Sequence, residues 1–120
     1  SQGVPRREAA LAYDEQLAAR VRGAVGEVPG LVEKKMFGGI GYMVLGNMAC
    51  GVHGENLIVR VGPERYETAL AQPHTRPFDL TGRAMKGWVY VEPAGCRTAD
   101  DLGCWVRQGV DFALSLPPKS

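Results

Sequence analysis

Lys34-Lys35-Met36-Phe37-Gly38-Gly39-Ile40-Gly41-Tyr42-Met43-Val44-Leu45-Gly46-Asn47-Met48-Ala49-Cys50-Gly51-Val52 is the stretch around which the rest of the chain arranges itself. Its apolar residues come in short groups cut by glycine, the pattern of strands joined by tight turns. Leu31 to Phe37 reads as a first strand, Ile40 to Leu45 as a second and Met48 to His53 as a third. Gly38-Gly39 and Gly46-Asn47 join them as hairpin dipeptides. Leu57 to Val61 follows Gly54-Glu55-Asn56 as a fourth strand, so an antiparallel meander is expected.

Upstream, Leu17, Ala18, Val21, Ala24, Val25 and Val28 recur at three and four residues, the stripe of an amphipathic helix. Asp14 suits its N-cap and Pro29-Gly30 its stop. Downstream, Gly62-Pro63-Glu64 predicts the start of a short helix in which Tyr66 and Leu70 pair, ending by Gln72-Pro73. Arg76-Pro77-Phe78-Asp79-Leu80 is expected at most as an edge segment, because proline cannot donate to a ladder. Gly87 to Glu92 is a clearer strand. Thr98 and Asp101 resemble a capping box ahead of the stripe Leu102, Trp105, Val106, Gly109, Phe112, Ala113 and Leu116, which Pro117-Pro118 closes. The predicted order is α-β-β-β-β-α-β-α. It specifies an α+β, two-layer domain with an antiparallel sheet of about five strands and helices packed on one face. Residues 1–12 are expected to be a flexible tail, in part added sequence, and residues 13–118 the single domain.

The 120 residues carry a net charge of +1, with 45% hydrophobic and 22% charged residues. A protein that lives on phosphate contacts needs a clear basic excess, which is missing here. No apolar run approaches the roughly 20 residues that cross a bilayer, and an apolar leader core is absent from the start, so the cytoplasm is the expected location. Cys50, Cys96 and Cys104 form no C-x-x-C spacing, which indicates neither a disulfide framework nor a zinc site.

Cys50 and His53 stand three apart, so on a regular strand they point to opposite faces and cannot act together. Cys50 shares parity with Met48 and Val52, which places all three in the core. Gly38, Gly39 and Gly41 fit no phosphate loop, since a strand follows where a helix N-terminus would be needed. Glu33, Glu64 and Glu92 lack a carboxylate partner, and His74 has no thiol or acid at a diagnostic spacing. No catalytic, cofactor-binding or metal-binding residue is therefore assigned. Lys34, Lys35, Arg60, Arg83 and Lys86, interleaved with Phe37, Tyr42, Trp88 and Tyr90, are the one basic and aromatic constellation. Met36, Met43, Met48 and Met85 add soft side chains suited to adaptable contacts. Large apolar groups sit on both faces of the second strand, so part of the second sheet face should be covered by the 74–83 connection, by the tail or by another subunit. The candidate contact residues are Lys35, Met36, Phe37, Tyr42, Met43, Arg60, Arg83, Lys86 and Trp88.

Six ordered motifs carry a family resemblance: Tyr13-Asp14-Glu15, Lys35-Met36-Phe37-Gly38-Gly39, Gly46-Asn47-Met48, Val59-Arg60-Val61-Gly62, Phe78-Asp79 and Met85-Lys86-Gly87-Trp88-Val89-Tyr90-Val91. Together they resemble the N-terminal domain of the TfoX/Sxy family, from about Tyr13 to Leu116-Pro117-Pro118-Lys119. The resemblance implies a secretion-chaperone-like α+β fold with a tendency to dimerise. It also implies kinship with regulators of bacterial natural competence that act on transcription with the cyclic AMP receptor protein. Those regulators carry a further C-terminal helical domain outside these 120 residues, so a stand-alone copy is expected. The family offers no catalytic residue to carry over. The expected function is a non-enzymatic regulatory or protein-binding module, homodimeric and without cofactor. Direct nucleic-acid binding is the alternative, and a thiol-based sensor or enzyme using Cys50 stands behind it.

Overall fold

A computed structural model describes residues 13–119; the expected tail, residues 1–12, lies outside the described residues. The first helix, α1, spans Glu15–Val25. Asp14 caps it as expected: its carboxylate accepts from the N–H groups of Gln16 (2.8 Å) and Leu17 (3.2 Å), two of the donors a helix start leaves free. The stop differs from expectation. Gly26, at φ 67°, ends the helix and donates its N–H to Arg22 O (3.1 Å) before Pro29-Gly30 is reached.

Strands β1 (Leu31–Met36), β2 (Gly39–Val44), β3 (Asn47–His53) and β4 (Asn56–Arg60) form the meander. The first two turns sit one residue earlier than the glycine pairs suggest. Phe37 and Gly38 have φ of 42° and 79°, and Leu45 and Gly46 have φ of 52° and 85°. Positive φ at both central residues is the requirement of a two-residue type I′ hairpin. A bulky side chain therefore occupies a left-handed position in each turn.

Helix α2 (Tyr66–Leu70) begins later than the Gly62-Pro63-Glu64 signal. The reason is local: the N–H groups of Val61 and Gly62 both donate to Gly87 O, at 2.8 and 3.0 Å, so Gly62 is tied to the chain ahead of the last strand instead of opening a helix. Strand β5 is only Thr75–Pro77 and β6 is Trp88–Val91. A 3₁₀ turn at Pro93–Gly95 leads to α3, Ala99–Leu114, capped by Thr98, whose Oγ1 accepts from Asp101 N–H at 3.0 Å. Beyond Leu114 the chain leaves the helix. Pro117 O accepts from Asn47 Nδ2 (3.0 Å), and Lys119 N–H donates to Leu45 O (2.8 Å), so the end of the described chain is pinned to the β2–β3 turn.

The sheet is antiparallel throughout, six strands in the order β1-β2-β3-β4-β6-β5, one more than expected because β5 is a true strand. Its helix-facing side carries Ile40, Tyr42, Val44, Cys50, Val52, Leu57, Val59, Val89 and Val91, packed against Leu17, Ala18 and Val21 of α1 and Leu102, Trp105, Val106, Val110 and Ala113 of α3. Each Val, Leu or Ile side chain of this set withdrawn from water contributes about 1.5–3 kcal/mol, which makes this layer the main source of stability.

One irregularity decides which residue faces where. In the β2–β3 ladder Tyr42 pairs with Cys50 and Met43 with Met48, so Ala49 is an extra residue, a β-bulge. It resets the alternation. Met48 lies on the sheet's second face while Cys50 and Val52 face the helices, which corrects the shared parity expected for the three. Gly109 of α3 sits directly over the bulge, where a Cβ would lie 3.0 Å from Ala49 C and collide with Ala49 O.

Candidate functional site

Among the described residues the second face of the sheet bears no helix. Following the register, it presents Lys34 beside Gly41, Gly51, Ile58, Tyr90 and Arg76 in one row, with Val32, Met43 and Met48 in a second. Gly41 and Gly51 leave a gap in the first row, which Met36 and Met48 fill. A Cβ on Gly41 would stand 3.2 Å from Met36 Sδ, and one on Gly51 would stand 2.8 Å from Met48 Cε. The sequence therefore places glycine on adjacent strands so that flexible thioethers lie flat across the sheet.

The 78–86 connection folds over the β4–β6 part of this face. Phe78 and Leu80 pack there with Met48, Ile58, Tyr90 and Trp88. Phe78 N–H donates to Trp88 O, and Met85 N–H donates to Phe78 O. The expected covering by the connection is observed, and among the described residues it reaches only part of the way. Val32 (57% exposed), Phe37 (37%) and Met85 (38%) remain open to solvent.

Aromatic rings run across the boundary between covered and open surface. Phe37, in the β1–β2 turn, stands 6.1 Å from the His53 ring and 6.4 Å from Phe78. His53 stacks on Tyr90 at 6.2 Å, with its Nδ1 3.2 Å from the Tyr90 hydroxyl. Phe78 meets Tyr90 edge-on at 5.0 Å and Trp88 at 6.0 Å. Two guanidinium groups frame the row. Arg76 lies 4.6 Å over Tyr90 and reaches Glu92 at 3.3 Å and Asp79 at 3.9 Å. Arg60 lies 4.9 Å from Trp88 and 5.3 Å from Phe112 of α3, and burial lowers its pKa.

The TfoX N-terminal domain family matches the chain over residues 23–113. The chain belongs to that family. No curated protein and no solved structure matches it. Within this TfoX N-terminal domain, Val61-Gly62 meets Gly87, and Gly46-Asn47 meets Pro117 and Lys119 of the C-terminal segment.

The candidate contact residues fall into separate places. Met36 and Met43 line the open part of the face, Phe37 stands at its edge, and Trp88 lies in the part that the connection covers. Arg60 is at its far end between two rings. Arg83 and Lys86 are exposed on the covering connection, and Lys35 is exposed on the edge strand with its side chain on the helix side. Tyr42 does not join them. It is fully buried under α1 and donates its hydroxyl to Ala18 O at 2.8 Å, so it is core rather than contact surface. Phe78, His53 and Arg76 belong to the face although none of them is among the expected contact residues; Tyr90, expected only as part of the basic and aromatic constellation, joins them through the alternation of β6 from Trp88 to Tyr90.

Cys50 is enclosed on the helix side, and burial pushes its thiol up to about 12, which keeps it protonated at neutral pH. Such a group is a poor nucleophile and a poor sensor. His53 faces the other way, so the two do not meet. Among the described residues no three His, Cys, Asp or Glu side chains gather to hold a metal ion, and no helix is long and apolar enough to cross a membrane. A cleft of about 470 Å³ between the Val61–Arg65 turn and α3 brings Glu64, Arg65, Gln108 and Asp111 around Phe112. It contains no nucleophile and base in contact.

Proposed function

We propose that this TfoX N-terminal domain is a non-enzymatic regulatory module of the competence-regulator class, which works in the cytoplasm as a homodimer and binds another protein through the open face of its sheet. The observation that carries this reading is the band of Val32, Met36, Phe37 and Met43, apolar and only partly covered, beside an aromatic row. Exposed apolar surface bordered by polar side chains is characteristic of protein-binding sites, and methionines let such a surface adapt to its partner. Nucleic acid is less supported. Arg60 is held between two rings and Arg76 between two carboxylates, which leaves Lys34, Lys35, Arg83 and Lys86 as separate exposed cations on a chain of net charge +1.

The test compares capture from native cell extract by the wild type, by Phe37→Ala with Met43→Ser, and by a Glu67→Gln control on the helix side. A protein retained by wild type and control but lost with the face variant supports the reading. Identical capture by all three refutes it, and binding to DNA that falls steeply with salt in a gel-shift assay would put nucleic acid in its place.

A further inference from the structure

We propose that two copies of this chain join edge to edge through β1, in one register, so that their sheets become continuous. This rests on the homodimer reading and adds to it the interface and its pairing. The six-stranded sheet has two free edges among the described residues. One is β5, three residues long and ending in Pro77, which is a blunted edge. The other is β1, six residues, Leu31–Met36, with a largely exposed surface.

The backbone of β1 determines which groups look outward. Met36–Gly39 closes a two-residue hairpin and so exchanges hydrogen bonds, as do Lys34–Gly41 and Val32–Met43 in the alternating antiparallel pattern. The Leu45 N–H to Gly30 O bond (3.1 Å) continues the same alternation. The N–H and C=O groups of Glu33 and Lys35 therefore point away from the sheet.

Symmetry narrows the choice. A two-fold axis that makes two copies of one strand antiparallel stands perpendicular to the sheet, so each residue must oppose one of its own face. Three registers centred on charged residues meet this condition. Centring on Glu33 sets that carboxylate against its own copy, and centring on Lys35 does the same with an ammonium group. Centring on Lys34 gives Glu33 opposite Lys35 twice and Val32 opposite Met36 twice, with the outward groups of Glu33 and Lys35 hydrogen-bonding to each other. The one like-charged pair it leaves is the long, solvated Lys34 on the axis. Glu33 already accepts from Arg22 Nη2 at 3.1 Å, and its carboxylate has lone pairs left for a further cation. Charges on an edge oppose indiscriminate pairing; here the same charges select a register. The most exposed large apolar side chain, Val32, gains an apolar neighbour in Met36 of the second copy.

Cysteine scanning reads this arrangement directly. In a Cys104→Ser background, which removes the one exposed native thiol, Lys34→Cys, Glu33→Cys and Lys35→Cys are oxidised and run on a non-reducing gel. Opposed Cα atoms of a non-hydrogen-bonded antiparallel pair lie about 4.5 Å apart, within disulfide reach, while residues offset by two positions lie about 8 Å or more apart. Lys34→Cys is expected to cross-link as a dimer and the other two to remain monomeric. Light scattering through the micromolar range follows mass for the wild type, Lys35→Pro, Lys35→Glu and Glu33→Lys with Lys35→Glu. Proline at 35 removes only an outward N–H, so the dimer is lost. The single charge change weakens it about tenfold or more, and the double exchange restores it. A wild type that is monomeric throughout overturns the homodimer itself. A dimer that ignores both Lys35 variants, or cross-links at 33 or 35 instead of 34, overturns the β1 register and leaves the homodimer standing.

Discussion

Gly109 and Gly103 lie in the same helix, and changing each to alanine should move stability in opposite directions. In a helix interior the change from glycine to alanine gains up to about 1 kcal/mol from reduced backbone freedom in the unfolded chain. Gly103 has nothing within 4 Å of where its Cβ would lie, so Gly103→Ala should keep this gain and raise the melting temperature by roughly 4 °C. At Gly109 the new methyl meets the Ala49 carbonyl, with Ala49 C at 3.0 Å. The obstacle is backbone held by the bulge and cannot rotate away, so α3 must lift from the sheet. Overpacking of this kind costs about 1–3 kcal/mol. With the obstacle a backbone atom the cost falls in the upper part of that range, and after the propensity gain Gly109→Ala should lose about 1–2 kcal/mol and roughly 4–8 °C. Thermal and urea unfolding followed by far-UV circular dichroism measure both. If Gly109→Ala melts at or above the wild type, or the two variants shift in the same direction, the close seat of α3 on the bulge is refuted.

Tyr42→Phe leaves the shape of the core unchanged but removes the 2.8 Å bond to Ala18 O, and should cost about 1–2 kcal/mol in urea unfolding. In alkaline solution the folded Cys50 thiol keeps its proton from its ordinary 9.0 up to about 12, whereas the unfolded chain releases it; stability should therefore fall as pH rises through that window, at about 1.4 kcal/mol per pH unit. Tyr42, also raised by burial, adds to the same fall, and Cys50→Ala should flatten it. With iodoacetamide on the native protein, Cys104 should react first and Cys50 only on unfolding, as read by mass spectrometry of digested peptides. Asn47→Ala removes the side-chain bond to Pro117 O, and hydrogen exchange at Lys119 N–H should accelerate while α3 is unaffected.

The α+β order was legible because local signals agree with the global fold: Asp14 and Thr98 cap the helices they precede, and the four-strand meander follows the apolar runs. What escaped has physical causes that are not local. The hairpins turn at Phe37-Gly38 and Leu45-Gly46 because the ladder register puts a large residue at positive φ, where propensity expects asparagine or glycine. Met48 was placed on the wrong face because a bulge leaves no mark in the composition of a strand. The excess of apolar residues on both faces was visible, but Tyr42 and Met43 cannot be sorted between core and surface until the helices are placed. The aromatic row was hidden for a related reason: His53 and Tyr90 are brought together by a sheet order in which β6 follows β4.

Position 49 also sets a rule about length. Ala49 is the extra residue of the bulge, inserted between Met48, which pairs with Met43, and Cys50, which pairs with Tyr42. Removing it would close the bulge and leave those pairings in place, with Met48 still on the second face and Asn47 still opposite Val44; what would go is the Ala49 carbonyl on which Gly109 is seated. In a library of single deletions along this strand, loss of residue 49 should therefore be tolerated better than loss of residue 51, which would carry Cys50 to the second face and Ala49 into the core.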